Sequence, residues 1–206
     1  MIKIVDYGLG NVLAFVNVFR SLNIKCETAR NSDELYGATH IILPGVGSFD
    51  YAVNRLNNSG MRSELERLVI DEEIPVLGVC VGMQLLAQQS DEGSLFGLGW
   101  LDARVKKFDI PAYSDHQLCL PHMGWNDVNA KSNKNYLFKN IEIESRFYFL
   151  HSYYFHCNDE DNILAESVYG EKFSCAVRKK NIYGVQFHPE KSHHFGSSLL
   201  KNFAEI

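Results

Sequence analysis

Over the first half of the chain, short apolar runs alternate with longer stretches in which apolar residues recur at helical spacing. Ile2-Lys3-Ile4-Val5 predicts a buried strand, and Val12, Phe15, Val16 and Phe19 give the following helix one apolar face. Residues 25–29 and 40–43 predict two further strands, and residues 50–73 carry helical signals with Met61, Leu65, Leu68 and Val69 as a buried stripe. Residues 75–80 form an apolar run of the kind that fills a buried parallel strand, and a helical pattern opens directly behind it. Strands alternating with helices predict a parallel, doubly wound sheet.

From residues 98–108 onward the pattern changes to successive strands. Residues 147–154 are densely aromatic, and residues 163–168, 173–178 and 182–187 predict antiparallel strands joined by turns at Tyr169-Gly170-Glu171 and Lys180-Asn181. Phe195, Leu199 and Phe203 close the chain with an amphipathic helix. The expected fold class is α/β, a mixed but mainly parallel central sheet flanked by helices, in a single domain over residues 1–206.

Composition narrows the function classes. A hydrophobic fraction of 46% and a charged fraction of 22% suit an ordinary globular protein. A net charge of −5 argues against a nucleic-acid surface, and Arg178-Lys179-Lys180 reads as a hairpin tip. No apolar run is long enough to cross a bilayer, and strand-like residues follow Met1 at once without a signal peptide. The five cysteines are scattered, without the paired spacing of a zinc site, which fits a reducing cytoplasm. Gly8 and Gly10 suggest a dinucleotide fingerprint, but Leu13 stands where its third glycine belongs. No cluster implies a metal or an organic cofactor.

The candidate chemistry lies at two places far apart in sequence. Cys80, between Gly78 and Gly82, sits on the turn from strand to helix, where the glycines allow close backbone approach. There the helix N-terminus would favour a thiolate, and the Val81 N–H could stabilise an oxyanion. A buried packing cysteine is the bland alternative. Near the other end, His188 and Glu190 flank Pro189, and in an extended segment both side chains leave one face. A carboxylate beside an imidazole fixes its tautomer and stabilises the imidazolium, so His188 would be the base for Cys80. Beyond the third strand, Gly45, Val46 and Gly47 could turn N–H groups inward as a second oxyanion donor, or form a plain Pro-Gly turn. Gln84 is one helical turn from Cys80 and so on its side.

The glycine-flanked cysteine and the late Gln186-Phe187-His188-Pro189-Glu190 resemble the triad-type (class I) glutamine amidotransferases. Asp6-Tyr7-Gly8-Leu9-Gly10-Asn11, Pro44-Gly45-Val46-Gly47-Ser48-Phe49, Pro121-His122-Met123-Gly124-Trp125-Asn126, Phe147-Tyr148-Phe149-Leu150-His151-Ser152-Tyr153-Tyr154 and His188-Pro189-Glu190-Lys191-Ser192 are similar to the glutaminase subunits of imidazole glycerol phosphate synthase within that family. The resemblance implies a Cys80-His188-Glu190 triad and an oxyanion hole from the backbones of Val81, Val46 and Gly47, with a peptide in the 44–49 loop flipping for activity. It also implies glutamine bound by Gly45, Gln84, Glu92, His151, Ser152 and Tyr153.

For the partner it implies a (β/α)8 cyclase subunit, forming a heterodimer, with Asn11, Trp125 and Lys191 toward it. Trp125 among polar neighbours suits an interface, although ordinary packing fits the sequence nearly as well. Val81, where leucine commonly follows the nucleophile, and Gly97-Leu98-Gly99-Trp100 depart from the expected pattern. Three alternatives stay open: a paralogue feeding ammonia to sugar amidination for surface polysaccharides, a silent partner-binding subunit, and a free-standing cysteine hydrolase.

Overall fold

The computed structural model describes residues 1–109, 118–131, 136–142 and 145–206. Its elements follow the alternation of the first half: β1 (Ile2–Val5), α1 (Val12–Ser21), β2 (Cys26–Ala29), β3 (His40–Gly45), α2 (Phe49–Asn58), α3 (Arg62–Glu66), β4 (Val76–Cys80) and α4 (Val81–Gln84). Strands β2, β1, β3 and β4 pair in that order, all parallel. α1 buries Phe15 and Phe19, the apolar face its spacing predicts. The helical stretch expected over 50–73 is broken at Gly60, whose φ of 72° ends α2, and its continuation after α3 is a wide turn over Arg67–Asp71.

The second half runs β5 (Gln89–Ser90), β6 (Ala103–Lys107), β7 (His122–Asp127), β8 (Asn129–Ala130), β9 (Arg146–His151), β10 (Tyr153–Cys157), β11 (Ile163–Tyr169), β12 (Glu171–Lys179), β13 (Ile182–Val185) and α5 (His193–Ala204). Both expected hairpin turns are present, with Gly170 and Lys180 at positive φ. Two features depart from the linear pattern. β13 is antiparallel to β12 but parallel to β4, so it forms the seam between the two halves of one sheet. The aromatic stretch does not make one strand: among the described residues β9 pairs only with β7, in a separate two-stranded sheet, and β10 returns to the main sheet between β12 and β6. Ser152 is where the chain changes sheets.

These two departures build the site. Val185 lies opposite Val79 in the β13–β4 register, so the segment leaving β13 runs beside Cys80 at the end of β4. Phe147, Phe149 and Phe187 are fully buried, with the Phe147 and Phe187 rings 4.2 Å apart, and tie the small sheet to this seam. No helix among the described residues is long and apolar enough to cross a membrane.

Candidate active site

Cys80 ends β4 with φ 56° and ψ −112°, a conformation that non-glycine residues rarely adopt and that costs on the order of 1–3 kcal/mol. Packing supplies that cost. A Cβ on Gly82 would collide with the Leu43 carbonyl, and one on Gly78 would sit 2.6 Å from the Gly82 oxygen. The elbow is therefore locked between β3 and its own following turn. Gly45 is paired with Cys80 in the β3–β4 register, and a Cβ there would lie 2.8 Å from the Val81 carbonyl carbon. It packs beneath the elbow and does not line the cavity. The helix after Cys80 is only one turn long, so the macrodipole expected to favour the thiolate is slight. The positive charge comes from His188.

His188 reaches Cys80 through the seam. Its N–H donates to the Tyr148 carbonyl at 2.8 Å, and the Ser192 hydroxyl donates to the His188 carbonyl at 2.6 Å while accepting from the Tyr148 N–H at 3.0 Å. Glu190 meets the imidazole differently from the extended geometry expected. Pro189–Lys191 is a short 3-10 turn, which brings Glu190 Oε1 back to His188 Nδ1 at 2.9 Å. Both side chains are almost fully buried, 4% and 2% exposed. Burial alone would push the imidazole down, but the negative charge and hydrogen bond of the Cys80 sulfur, with the Glu190 carboxylate behind, outweigh it, and His188 is pushed up to about 10. At neutral pH it carries a proton aimed at the reacting centre.

These groups open on a cavity of about 240 Å³, below the roughly 300–1,000 Å³ usual for drug-sized ligands and in scale with one amino acid. Val46 and Gly47 form one side, and Leu150 with His151, Ser152 and Tyr153 the other, because the chain changes sheets there. Gln84 and Glu92 also line it, while Glu190 stands behind His188. The Gln84 Nε2 donates to the Tyr153 carbonyl and to Gln186 Oε1, both at 3.1 Å. Glu92 Oε2 accepts the Phe49 N–H at 2.8 Å, so this carboxylate also fastens the start of α2, just beyond the Val46-Gly47 loop.

The expected interface residues fall into two groups. The Trp125 ring stacks on His193 at 5.1 Å and lies 6.1 Å from Tyr148, and Lys191 Nζ stands 5.5 Å over the same tyrosine. Trp125 and Lys191 thus belong to one cluster that touches the triad turn. Asn11 is apart: it caps α1, its Oδ1 accepting the Ala14 N–H at 3.3 Å.

Several residues make contacts at the site that their local sequence does not signal. The buried Tyr7 hydroxyl donates to the Pro44 carbonyl at 2.7 Å, and burial together with the Cys80 charge pushes its phenol up, so it stays a neutral donor. Gln186 Nε2 approaches Cys80 Sγ at 3.8 Å. His122 bonds His151 across β7 and β9. Each stands inside a segment legible as a motif, but its partner is 29 to 106 residues away.

The glutamine amidotransferase class-I family model matches residues 3–206. The imidazole glycerol phosphate synthase subunit HisH of Bdellovibrio bacteriovorus is 59% identical over 207 residues, covering 100% of both chains. The same-named subunit of Leptospira borgpetersenii is 53% identical, also over 100% of both. Among solved structures, PurLQS from Thermotoga maritima aligns with a TM-score of 0.74 at 16% identity, covering 99% of this chain and 97% of that one. A glutamine amidotransferase crystal structure aligns with a TM-score of 0.73 at 18% identity, covering 100% and 99%. At such identities these two establish the fold alone.

Proposed function

The chain belongs to the class-I glutamine amidotransferase family, and on that premise we propose that it is the glutaminase subunit of an imidazole glycerol phosphate synthase, supplying ammonia for histidine biosynthesis. The observation that carries the chemistry is the juxtaposition of Cys80 and His188 in the wall of one amino-acid-sized cavity, with Glu190 behind the imidazole. Full-length identity to the synthase subunits favours the histidine pathway over sugar amidination.

The Cys80 sulfur attacks the side-chain amide carbon of glutamine, and the carbonyl oxygen becomes an oxyanion held by the Val81 N–H and an N–H from Val46 or Gly47. His188 gives its proton to the departing nitrogen, which leaves as ammonia, and a γ-glutamyl thioester remains. Neutral His188 then takes a proton from water, whose oxygen attacks the thioester carbon. Glutamate leaves and the sulfur regains its charge. Glu190 holds Nδ1–H throughout and stabilises each imidazolium. The Gln84 side-chain oxygen, the backbone of His151, Ser152 and Tyr153, and Glu92 bind the amino-acid portion.

Ammonia released into water is protonated and lost as a nucleophile, so the reaction is useful only beside an acceptor. We assign that role to a (β/α)8 cyclase subunit docking over Trp125, Lys191 and Asn11 in the cytoplasm. The test is glutamate release by the purified chain, alone and with the cyclase subunit and its nucleotide ligand, with Cys80→Ala as control. Low activity alone, a rise of at least tenfold in the complex and none with Cys80→Ala is the expected result. A complex that forms without raising glutamate release would remove the histidine assignment, and turnover without a partner would favour a free-standing hydrolase.

A further inference from the structure

A second groove, of about 450 Å³, lies on the face of β7 and is lined by His122, Trp125 and Asn126, while His151 lines the active-site cavity. His122 and His151 are directly opposed in the β7–β9 register, both buried, and their rings join the two spaces through the protein. His122 is sandwiched between Tyr169 at 4.0 Å and Phe149 at 4.9 Å, each inclined 19°, which fixes its plane.

The direction of every hydrogen bond in this pair is forced. A carbonyl only accepts, so His151 Nδ1, 2.8 Å from the Tyr153 oxygen, carries a proton. Burial pushes His122 down to about 4, and burial with the neighbouring His122 pushes His151 down to about 3, so each ring holds a single proton at neutral pH. His151 Nε2 is therefore an acceptor, and His122 Nδ1 donates to it at 3.1 Å. His122 Nε2 is then an acceptor in turn, facing Asn126 Nδ2 at 3.3 Å. Beyond His151, the Tyr153 oxygen also receives Gln84 Nε2, which donates to Gln186, whose own Nε2 points at the Cys80 sulfur. One continuous chain of side chains and a single carbonyl connects the groove with the nucleophile.

We propose that His122 is a positioning residue for the glutaminase reaction: through the tautomer it imposes on His151, it holds the Tyr153 carbonyl, Gln84 and Gln186 against Cys80 and links their placement to β7. The proposal rests on Cys80 being the glutaminase nucleophile. If β7 faces the cyclase subunit, docking acts on this chain at Asn126 and His122, where a donor lost or turned frees His151 to exchange its proton between nitrogens. An exchanged His151 presents a lone pair to the Tyr153 oxygen and loses that wall of the pocket.

The experiment compares His122→Phe, which keeps a flat ring between Phe149 and Tyr169 but donates nothing, with His122→Asn, whose amide nitrogen can stand where Nδ1 does. Two rates are read: kcat/KM for glutamine at saturating cyclase subunit, and alkylation of Cys80 by iodoacetamide in the isolated chain. His122→Phe is expected to lower the first at least tenfold and the second at least threefold, and His122→Asn to restore both to within about threefold. Asn126→Ala, at the half-exposed start of the relay, is expected to lower kcat/KM about threefold without a loss of folded protein, and it serves if His122→Phe does not fold. Wild-type rates in both His122→Phe and Asn126→Ala, or equal losses in His122→Phe and His122→Asn, overturn the proposal. Alkylation needs neither glutamine turnover nor a partner, so a failure of the acceptor assignment leaves that arm to decide for or against the relay.

Discussion

Two backbone arms converge on the Cys80 sulfur, and they are built to opposite specifications. The elbow is buried and has no spare volume: Val81 is 5% exposed, and an added methyl at Gly82 would enter the Leu43 carbonyl. The Val46-Gly47 arm is exposed, Val46 by 39%, and an added methyl at Gly47 would meet only the Tyr51 ring edge at 3.8 Å. Cys80 is thus placed by steric exclusion, while the proposed oxyanion donor opposite it is placed by backbone torsion. A site made this way keeps Cys80 fixed and leaves the facing loop adjustable, which suits the partner-dependent turnover proposed for it.

The largest effect falls on the charge that His188 and Glu190 present to the fixed arm. Glu190→Gln keeps the side chain's shape but removes the carboxylate from His188 Nδ1, and kcat is expected to fall by up to about 10⁴-fold, the loss that amide replacement of the carboxylate causes in a Ser-His-Asp triad. KM for glutamine should stay within about threefold, because Glu190 does not line the cavity. Steady-state kinetics on the complex check both numbers. A large rise in KM instead would mean that Glu190 shapes the pocket.

Next comes the steric side of the same arm. Gly82→Ala must displace either β3 or the elbow, since its new methyl meets backbone and not a flexible side chain. Overpacking costs about 1–3 kcal/mol, and the upper end applies here. For a chain of this size that lowers Tm by about 6–12 °C. Activity should fall further than stability, because the displaced group is Cys80 itself. Thermal melts and Cys80 alkylation separate the two.

The legibility of these arms in sequence differs in the same way. Cys80 with its two glycines, and His188 with Glu190, are local patterns whose spacing carries their chemistry, and α/β alternation predicts the sheet that presents them. What could not be read depends on long-range pairing. No periodicity tells that β13 sits between β12 and β4, yet that placement brings His188 to Cys80. Nothing in Phe147-Tyr148-Phe149-Leu150-His151-Ser152-Tyr153 marks the change of sheets at Ser152, which exposes its backbone to the cavity. Helical spacing sets Gln84 on the side of Cys80, but its amide hydrogens are committed to Tyr153 and Gln186, a fact visible only in three dimensions.

The wall between the arms gives a pH signature. His122 and His151 have folded pKa values near 4 and 3, below an unfolded value of about 6.5. Between those limits the unfolded chain binds more protons, so stability rises with pH up to about 6.5 and this contribution is flat above it. His122→Asn removes one such group. Its unfolding free energy, from urea denaturation at intervals between pH 4 and 7, should climb less steeply than wild type by up to one proton's slope. Equal slopes would mean that His122 takes up a proton in the folded chain as readily as in the unfolded one, and the single-proton ring on which its donor directions rest would not hold in that pH range.

The smallest effect separates the arms most cleanly. Gly47 has φ 91°, where an L-residue is strained, but it has open space around it. Gly47→Ala should therefore cost only about 1 kcal/mol, a Tm shift of about 2–4 °C. Glutaminase activity in the complex should drop about fivefold, which that same energy yields if all of it is felt by the oxyanion donor in the transition state. Cys80 alkylation, which needs no oxyanion donor, should be unchanged. If Gly47→Ala instead slowed alkylation as Gly82→Ala does, the two arms would move as one body, and the adjustable side of the site would have to be sought elsewhere than in the Val46-Gly47 peptide.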